Sequence, residues 1–525
     1  MLTRRYSYFE PLPESSFRLL RLRNILTSPD GSVSSDVSSA AILDLSLAIR
    51  PMDTSEPYRA LSYTWDEPGL QDDNHHILID GEPHDVAPNL FNALCQLSTA
   101  YEGSLIWIDA LCINQKDSSE KEKLVQRMGE VYRNAFEVII WLGEATASIP
   151  EVFDVVEQVA KVDKAVFDSS AEFFGPERLS QVGLPDAANP IWPHYLDLYE
   201  RRWFQRGWVV QEAVLARRAT VFCGQYHISW ETLRQGSHIF YPDYLRKHFF
   251  ATFKNHDEHV ACRSLGRNAL RMGMIEDYFD RQDLSNLLIV EIVTGTRELK
   301  HGEYVLLHLM RMARDFDWLD PRDRIYSMIG IVRSMGLDLC MAPDYSESCT
   351  PASVLTQFAQ AVIRHSNSIS IISQVSDPYF RKTPNLPSWA PCLKNSPNFA
   401  YGRNHPFEAD KGFNLGDRVI YEFNADSLLV WGVKVGRIQA TTGVHFGETP
   451  NIGAMRQFAT QVSQPEGLDS DEILWRTLIT DVYGHLAPED KHPAPVECGD
   501  WFSSHVYTAS EPEVSMQSLV VQNAG

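Results

Sequence analysis

The sequence predicts an α/β fold with a mostly parallel sheet covered by helices on both faces, and three observations lead there. Between Tyr58 and Cys223, short apolar runs alternate with amphipathic stretches at helical spacing, the pattern of β-α-β units. The clearest run, Leu105-Ile106-Trp107-Ile108, is apolar throughout, as expected of a strand buried on both faces. It runs directly into Asp109, so a carboxylate stands at the carboxyl end of a strand, where open α/β sheets bind ligands.

Taken in order, residues 1–57 read as a lead-in, with a loop over Ser28 to Ala40 and an edge strand over Ile42 to Ile49. Tyr58 to Tyr63 is the first strand of the domain proper. His76 to Asp80 and Pro83 to Val86 form a hairpin about the turn Asp80-Gly81. Asn89 to Ala100 is a helix. After the Leu105–Asp109 strand comes the strongest helix, with Leu124, Val125, Met128, Val131, Tyr132 and Ala135 on one face. A capping box, Asp117 with Glu120 or Ser119 with Glu122, would start it. Glu137 to Leu142 is a strand, Pro150 to Val162 a helix, Phe174 to Pro193 a loop, Trp203 to Ala216 a helix and Ala219 to Cys223 a strand. These elements place the α/β domain at about 58–235.

A mainly helical region follows over 236–345, with a helix start at Asp320-Pro321, and then a smaller α+β region over 346–445. That region opens on a helix at Thr350-Pro351 and holds two β runs about Asn424-Ala425-Asp426. Residues 446–525 form a weakly patterned tail, with one helix over Ser470 to Tyr483.

Composition narrows the function classes. Hydrophobic residues make up 44% of the 525 and charged residues 22%, enough apolar content for a large core. A net charge of -22 opposes broad binding to nucleic acid or an anionic membrane, leaving only a local basic patch at Arg201, Arg202 and Arg206. Eight cysteines with no C-x-x-C pair fit a reducing compartment rather than a disulfide scaffold. No apolar leader is evident at the start, and no run approaches a membrane span. The expected location is the cytoplasm.

Among residues that carry chemistry, Glu212 comes first. It stands four residues after Trp208, on the same helical face. An indole beside a carboxylate desolvates it, and such a group suits a positively charged glycosyl transition state. The competing reading is a salt bridge to Arg206 or Arg217 on a solvated helix. Asp109 would bind a ribose hydroxyl or a base, or else cap the next turn. Ser62, Tyr63 and Trp65 end the first strand. They would bond to and stack on a nucleotide, or pack as core and turn. Asn114 and Gln115 would contact ligand or tie their loop down. Cys112, between Leu111 and Ile113, reads as buried and inert. No metal site is expected, since His256 and His259 lack further ligands.

These segments together resemble the fungal heterokaryon incompatibility (HET) domain family. Tyr58 to Trp65 resembles its opening motif. Leu105 to Gln115, with Met128, Tyr132, Ala135 and Val138 to Gly143, resembles the central one. Trp203 to Ala216, closing at Cys223-Gly224, resembles the last. Asp320 to Gly330, Pro343-Asp344-Tyr345, Leu386 to Trp389 and Trp475 to Leu478 resemble the region that follows in such proteins. Two departures stand out: Asp66 replaces the glycine usual after the first motif's tryptophan, and the glycine-rich C-terminal segment is missing. The HET domain is similar, at a distance, to Toll/interleukin-1 receptor (TIR) domains. The resemblance implies a flavodoxin-like sheet and non-self recognition that triggers cell death through incompatibility partner proteins and self-association. Some TIR domains cleave NAD at the nicotinamide–ribose bond with a helix glutamate that follows a tryptophan, as Glu212 follows Trp208. On that resemblance Glu212 is the candidate catalytic residue. Ser62, Tyr63, Trp65, Asp109, Asn114 and Trp208 would bind substrate, and NAD would be a substrate, with no cofactor implied. The alternative is a scaffold that only assembles with partners.

Overall fold

The computed structural model describes residues 11–23, 42–65, 75–163, 176–240, 267–280, 316–334, 338–366, 383–393 and 421–430, the last without 425 and 426, together with isolated positions such as Tyr8 and the pair Ile25–Leu26. Two compact units are present. The first comprises residues 1–167, 175–403 and 418–429, and holds almost every described element. The second, made of 168–174, 404–417 and 430–525, is described only at scattered positions.

In the first unit the strands are β1 (Ser16–Arg21), β2 (Ile25–Leu26), β3 (Ile42–Pro51), β4 (Tyr58–Ser62), β5 (His75–Ile79), β6 (Glu82–Val86), β7 (Leu105–Trp107), β8 (Glu137–Trp141), β9 (Ala219–Cys223) and β10 (Tyr226–Ser229). They form one sheet in the order β10-β9-β8-β4-β7-β1-β3-β5-β6, with β2 on β3. Its centre, β7-β4-β8-β9, is parallel, as the alternation of strands and helices predicts. Antiparallel pairs flank it: β10 on β9, and β1 on β7. Of the two strands beside β4, the chain reaches β7 on one side first, after the β5–β6 hairpin, and β8 on the other side next. The connections therefore diverge at β4, the kind of point where such sheets bind ligands.

The helices are α1 (Pro88–Ala100), α2 (Asp109–Cys112), α3 (Ser118–Asn134), α4 (Ile149–Ala160), α5 (Ile191–Tyr199), α6 (Trp208–Val214), α7 (Trp230–Gly236), α8 (Arg267–Asp280), α9 (Asp323–Ser334) and α10 (Pro351–Ser366). α6 packs on β4 and α3, and α9 packs on both α3 and α6. Leu61, Ile106, Val138, Ile139 and Ile140 are fully buried, so the parallel centre is covered on both faces.

Several local expectations change. Ile42–Ile49 is not an edge strand: β3 lies between β1 and β5. Strand β1, which periodicity did not reveal, sits between β7 and β3, because Phe17, Leu19 and Leu20 are all buried and Arg18 is neutralised. The Leu105 strand stops at Trp107, and Asp109 instead opens α2. Phe174 to Pro193 is not all loop, since a 3-10 turn spans Pro176–Val182 and α5 begins at Ile191. Trp203–Ala216 is not one helix. A 3-10 turn over Arg202–Gln205 precedes α6, and the break falls at Arg206-Gly207.

Asp117 caps α3 by accepting from the Ser119 and Glu120 N–H groups. The box is not completed by Glu120. Its buried carboxylate takes the Arg18 guanidinium at 2.5 Å and the Asn114 N–H at 2.7 Å. Asp320 caps the turn that precedes α9 through the Arg322 N–H (2.9 Å), with the helix proper starting at Asp323. Thr350 accepts from the Ser353 N–H at the start of α10. The two β runs near 424 pair as β11 (Tyr421–Asn424) and β12 (Ser427–Val430). The loop expected over 28–40, residue Asp66 and almost all of Ser470 to Tyr483 lie outside the described residues. Among the described residues no helix is long and apolar enough to cross a membrane.

Candidate functional site

Four pieces of chain converge beyond the carboxyl ends of β4 and β7: the segment from Ser62 to Trp65, Asp109, the Tyr132 face of α3, and the stretch from Trp203 to Glu212. Ser62 is the last residue of β4 and fully buried. Its hydroxyl accepts from the Trp203 indole N–H at 2.7 Å and donates to the Glu212 carboxylate. With one bond received and one given, the hydroxyl has a single orientation.

Glu212 is 3% exposed, so the solvated salt-bridge reading fails. Burial pushes its carboxyl up to about 7. The nearby Arg206 charge and the Ser62 and Tyr132 hydroxyls resist that rise, while Asp109 adds to it. Burial dominates because a charge removed from water loses solvation that one half-buried guanidinium does not replace. The Tyr132 hydroxyl also reaches the Leu61 carbonyl, at 3.1 Å. Its one proton serves either acceptor but not both. A protonated Glu212 can donate to Tyr132 while Tyr132 holds Leu61; an ionised Glu212 takes the Tyr132 proton for itself.

The loop after β4 is fixed from below. The buried Asn89 donates to the Thr64 carbonyl (2.8 Å) and hydroxyl (2.9 Å), and accepts from the Trp141 indole at 2.8 Å. That bracing carries Trp65 to the rim, where it is 38% exposed and donates to Asp109 Oδ2 at 2.9 Å. Asp109, half-buried at the start of α2, also takes the Ala110 N–H at 2.7 Å. Asp109 thus ties the start of its own turn and bonds the Trp65 indole beside it. Burial raises its pKa, against Arg206 and the Trp65 bond.

Arg206 donates to the Tyr63 carbonyl, and Arg201 to the Leu142 carbonyl at 2.7 Å. These two arginines therefore cap the ends of adjacent parallel strands instead of forming a free basic face. Tyr63 itself is buried, and burial drives its hydroxyl pKa well up.

Three sequence candidates stand away from this cluster. Asn114 ties its loop, its side chain accepting from the Lys116 N–H at 3.2 Å. Gln115 does likewise through the Asp109 carbonyl at 3.0 Å. Trp208 points its N–H to Asp323 Oδ2 of α9, at 3.1 Å, rather than toward Glu212. Cys112 is fully buried, and desolvation pushes its thiol up to about 12, so it holds no thiolate at neutral pH. Sequence reasoning missed Trp203, Tyr132 and the role of Arg206. Tyr132 reads as one more apolar-face residue, and Trp203 as part of a continuous helix. Only their contacts with Ser62 and Glu212 distinguish them. Among the described residues no group of three or more His, Cys, Asp or Glu side chains is placed to hold a metal.

Residues 58–212 match the family model described as heterokaryon incompatibility protein (HET). The match starts on the first residue of β4 and ends on Glu212, so it encloses this whole cluster. Over 416 residues the chain is 24% identical to heterokaryon incompatibility protein 6, OR allele, of Neurospora crassa, covering 70% of this chain and 58% of that protein. The chain thus spans a little over half the length of that relative. No solved structure matches. With the family match lying on β4 through α6 and the same residues forming the convergent cluster, this chain is a HET domain-containing protein.

Proposed function

We propose that this protein acts in the cytoplasm in heterokaryon incompatibility, a non-self recognition response that ends in cell death. Its HET domain is the effector, working with incompatibility partners and by self-association. We further propose that the domain hydrolyses NAD at the nicotinamide–ribose bond. The observation that carries the enzymatic reading is the convergence of Glu212, Ser62 and Asp109 beyond the ends of β4 and β7, where the connections diverge. The order β7-β4-β8-β9, second-first-third-fourth in the chain, supports a flavodoxin-like, TIR-related sheet.

In this reaction the C1′–N bond breaks and its electron pair leaves with the ring, which departs as neutral nicotinamide. The ribosyl centre develops oxocarbenium character, which the Glu212 carboxylate stabilises across the site. Water forms the new C1′–O bond and releases a proton. The leaving group is already cationic, so no strong acid is required. Asp109 holds a ribose hydroxyl, and Trp65 at the rim stacks on a ring. Ser62 keeps Glu212 aimed.

A scaffold reading has one observation in its favour. Glu212 is nearly sealed and its hydroxyl partners are already made, so the cluster also serves as a buried polar lock. The deciding experiment incubates full-length protein with NAD at low and high protein concentration and follows nicotinamide release by chromatography, with Glu212→Ala as control. Release that rises with concentration and vanishes in the variant supports an assembly-gated hydrolase. No release from folded, self-associated protein leaves the scaffold.

A further inference from the structure

The helix that carries Glu212 has only seven residues, Trp208–Val214. A helix that short does not hold itself together in water, so its neighbours set its position. On the sheet side, Glu212 meets Ser62 at the end of β4. On the opposite side stand residues from 316–334 and 338–345, which lie beyond the 58–212 family match.

Their grip has three parts. At the entrance, the Asp317 N–H donates to the Gln205 carbonyl (2.7 Å) and the Gly207 N–H to the Asp317 carbonyl (2.9 Å). Arg206 and Asp317 form a parallel bridge between them. Gly207 lies flat against Trp318, where any Cβ would fall 1.8 Å from the ring. At the first helical residue, the Trp208 indole N–H donates to Asp323 Oδ2 at 3.1 Å, while Asp323 Oδ1 accepts the Tyr345 hydroxyl at 2.6 Å. Tyr345 is anchored in turn on α3, its N–H donating to Glu122 at 3.0 Å. At the centre, the buried Gln211 amide, in the orientation that satisfies both its ends, donates to the Ser327 carbonyl and accepts from the Gly129 N–H, both at 2.9 Å. Gln211 is adjacent to Glu212, so this bond and the Ser62 bond pin opposite sides of a single turn.

We propose that Asp323 is a positioning residue of the Glu212 site, and that α9, from outside the matched domain, clamps α6 so that Glu212 stays seated on Ser62. The clamp explains why Trp208 is turned toward α9, and it makes α9, Asp317, Trp318 and Tyr345 part of the site's working architecture. The inference rests on the site's geometry and holds whether or not the site cleaves a nucleotide.

The groups facing Glu212 are Tyr63 from the end of β4, Asp109 after β7, Tyr132 from α3, and Arg206 ahead of α6. Asp323 is not one of them, so it reaches Glu212 only through the placement of α6. Loosening α6 would let water reach the Glu212 carboxyl and bring its titration toward the ordinary carboxylate range.

The test is a stability cycle on the full chain. Urea unfolding across acid to neutral pH is measured for the native protein and Glu212→Gln, and the difference isolates the Glu212 titration. The same pair is then measured on Asp323→Ala and, to remove the indole N–H while keeping an aromatic ring, on Trp208→Phe. The expected result is a titration window that moves down by about one pH unit or more on both backgrounds. If Asp323→Ala does not fold, Trp208→Phe decides alone. An unchanged window on folded variants overturns the proposal, and shows that Asp323 contributes only to general stability. NAD cleavage plays no part in this readout, so failure here is distinguishable from failure of the proposed activity.

Discussion

Ser62 donates its hydroxyl proton to Glu212 across 150 positions of sequence, while the same oxygen accepts from Trp203. That one hydroxyl joins the end of the first parallel strand to the helix that closes the family match. The carboxyl it holds is buried, and burial lifts its titration to about 7 against the pull of that bond.

The pH dependence of stability follows directly. The folded-state pKa of Glu212, about 7, lies above the ordinary glutamate value of 4.5, so between those values the native state binds more protons than the unfolded chain. Its contribution to stability is complete below about pH 4.5 and is lost as pH rises through about 7. At about 1.4 kcal/mol per unit, the full swing is of order 3 kcal/mol. Asp109 and Asp323, also raised by burial, act with the same sign. Glu212→Gln should flatten the profile in this window and make the protein more stable than native at about pH 8. Urea midpoints measured across the range check it; a profile equally steep in the variant refutes it.

If the domain cleaves NAD, its active form carries an ionised Glu212. Nicotinamide release should then climb as pH rises through about 7 and level off above it. Glu212→Gln should abolish release at every pH without loss of fold. A rate that falls over this range would assign Glu212 the role of an acid instead.

Ser62→Ala leaves the Trp203 N–H and a Glu212 oxygen without their partner inside the protein. Each unmet buried group costs about 1–3 kcal/mol, so a loss of roughly that size in urea unfolding is expected. Removal of the Ser62 bond, which lowers the Glu212 pKa, should also move the Glu212 titration upward.

Gly207→Ala tests the docking of 316–319 on the α6 entrance. The backbone there is in the ordinary right-handed region, so the cost is entirely steric, arising from the Trp318 ring. Overpacking of this kind costs about 1–3 kcal/mol. The variant should show it as a lower unfolding midpoint, with earlier proteolytic cleavage near residue 318. Adding Trp318→Ala should remove the clash, so that the extra methyl group is tolerated in the double variant.

Two buried tryptophans make a matched pair. Trp141 donates to Asn89, whereas the Trp107 indole N–H, equally buried and edge-on to Tyr132, has no partner among the described residues. Trp107→Phe should cost little beyond lost volume. Trp141→Phe should additionally break the bond that braces Asn89 and Thr64, by about 1 kcal/mol or more. Thermal unfolding of both variants checks the order; equal losses would argue against the Asn89 brace.

Much of the parallel centre was legible from the sequence because burial on both faces writes itself into composition. Leu105-Ile106-Trp107 and Val138 to Trp141 are apolar throughout, and α3 carries its core stripe at fixed spacing. The HET motifs were readable for the same reason, since local runs of residues carry them. Strand β1 was not, because its one buried charge, Arg18, is neutralised by Glu120 about a hundred residues away. Nor was the break at Gly207, which a segment some 110 residues downstream imposes by contact.

The sequence by itself determined the α/β class, the domain's likeness to the HET family and two carboxylates, Asp109 directly after the apolar run of β7 and Glu212 within a helix. These follow from local pattern, which needs only neighbouring residues to be expressed. The tertiary structure alone decided that Ser62, rather than Trp208, is Glu212's partner, that Tyr132 and Trp203 belong to the site, and that α9 holds it from outside. The reason is physical. Hydrogen bonds and burial act over a few ångströms in space, between residues that sequence keeps far apart, and the acidity of Glu212 is a property of that surrounding and not of its own position in the chain.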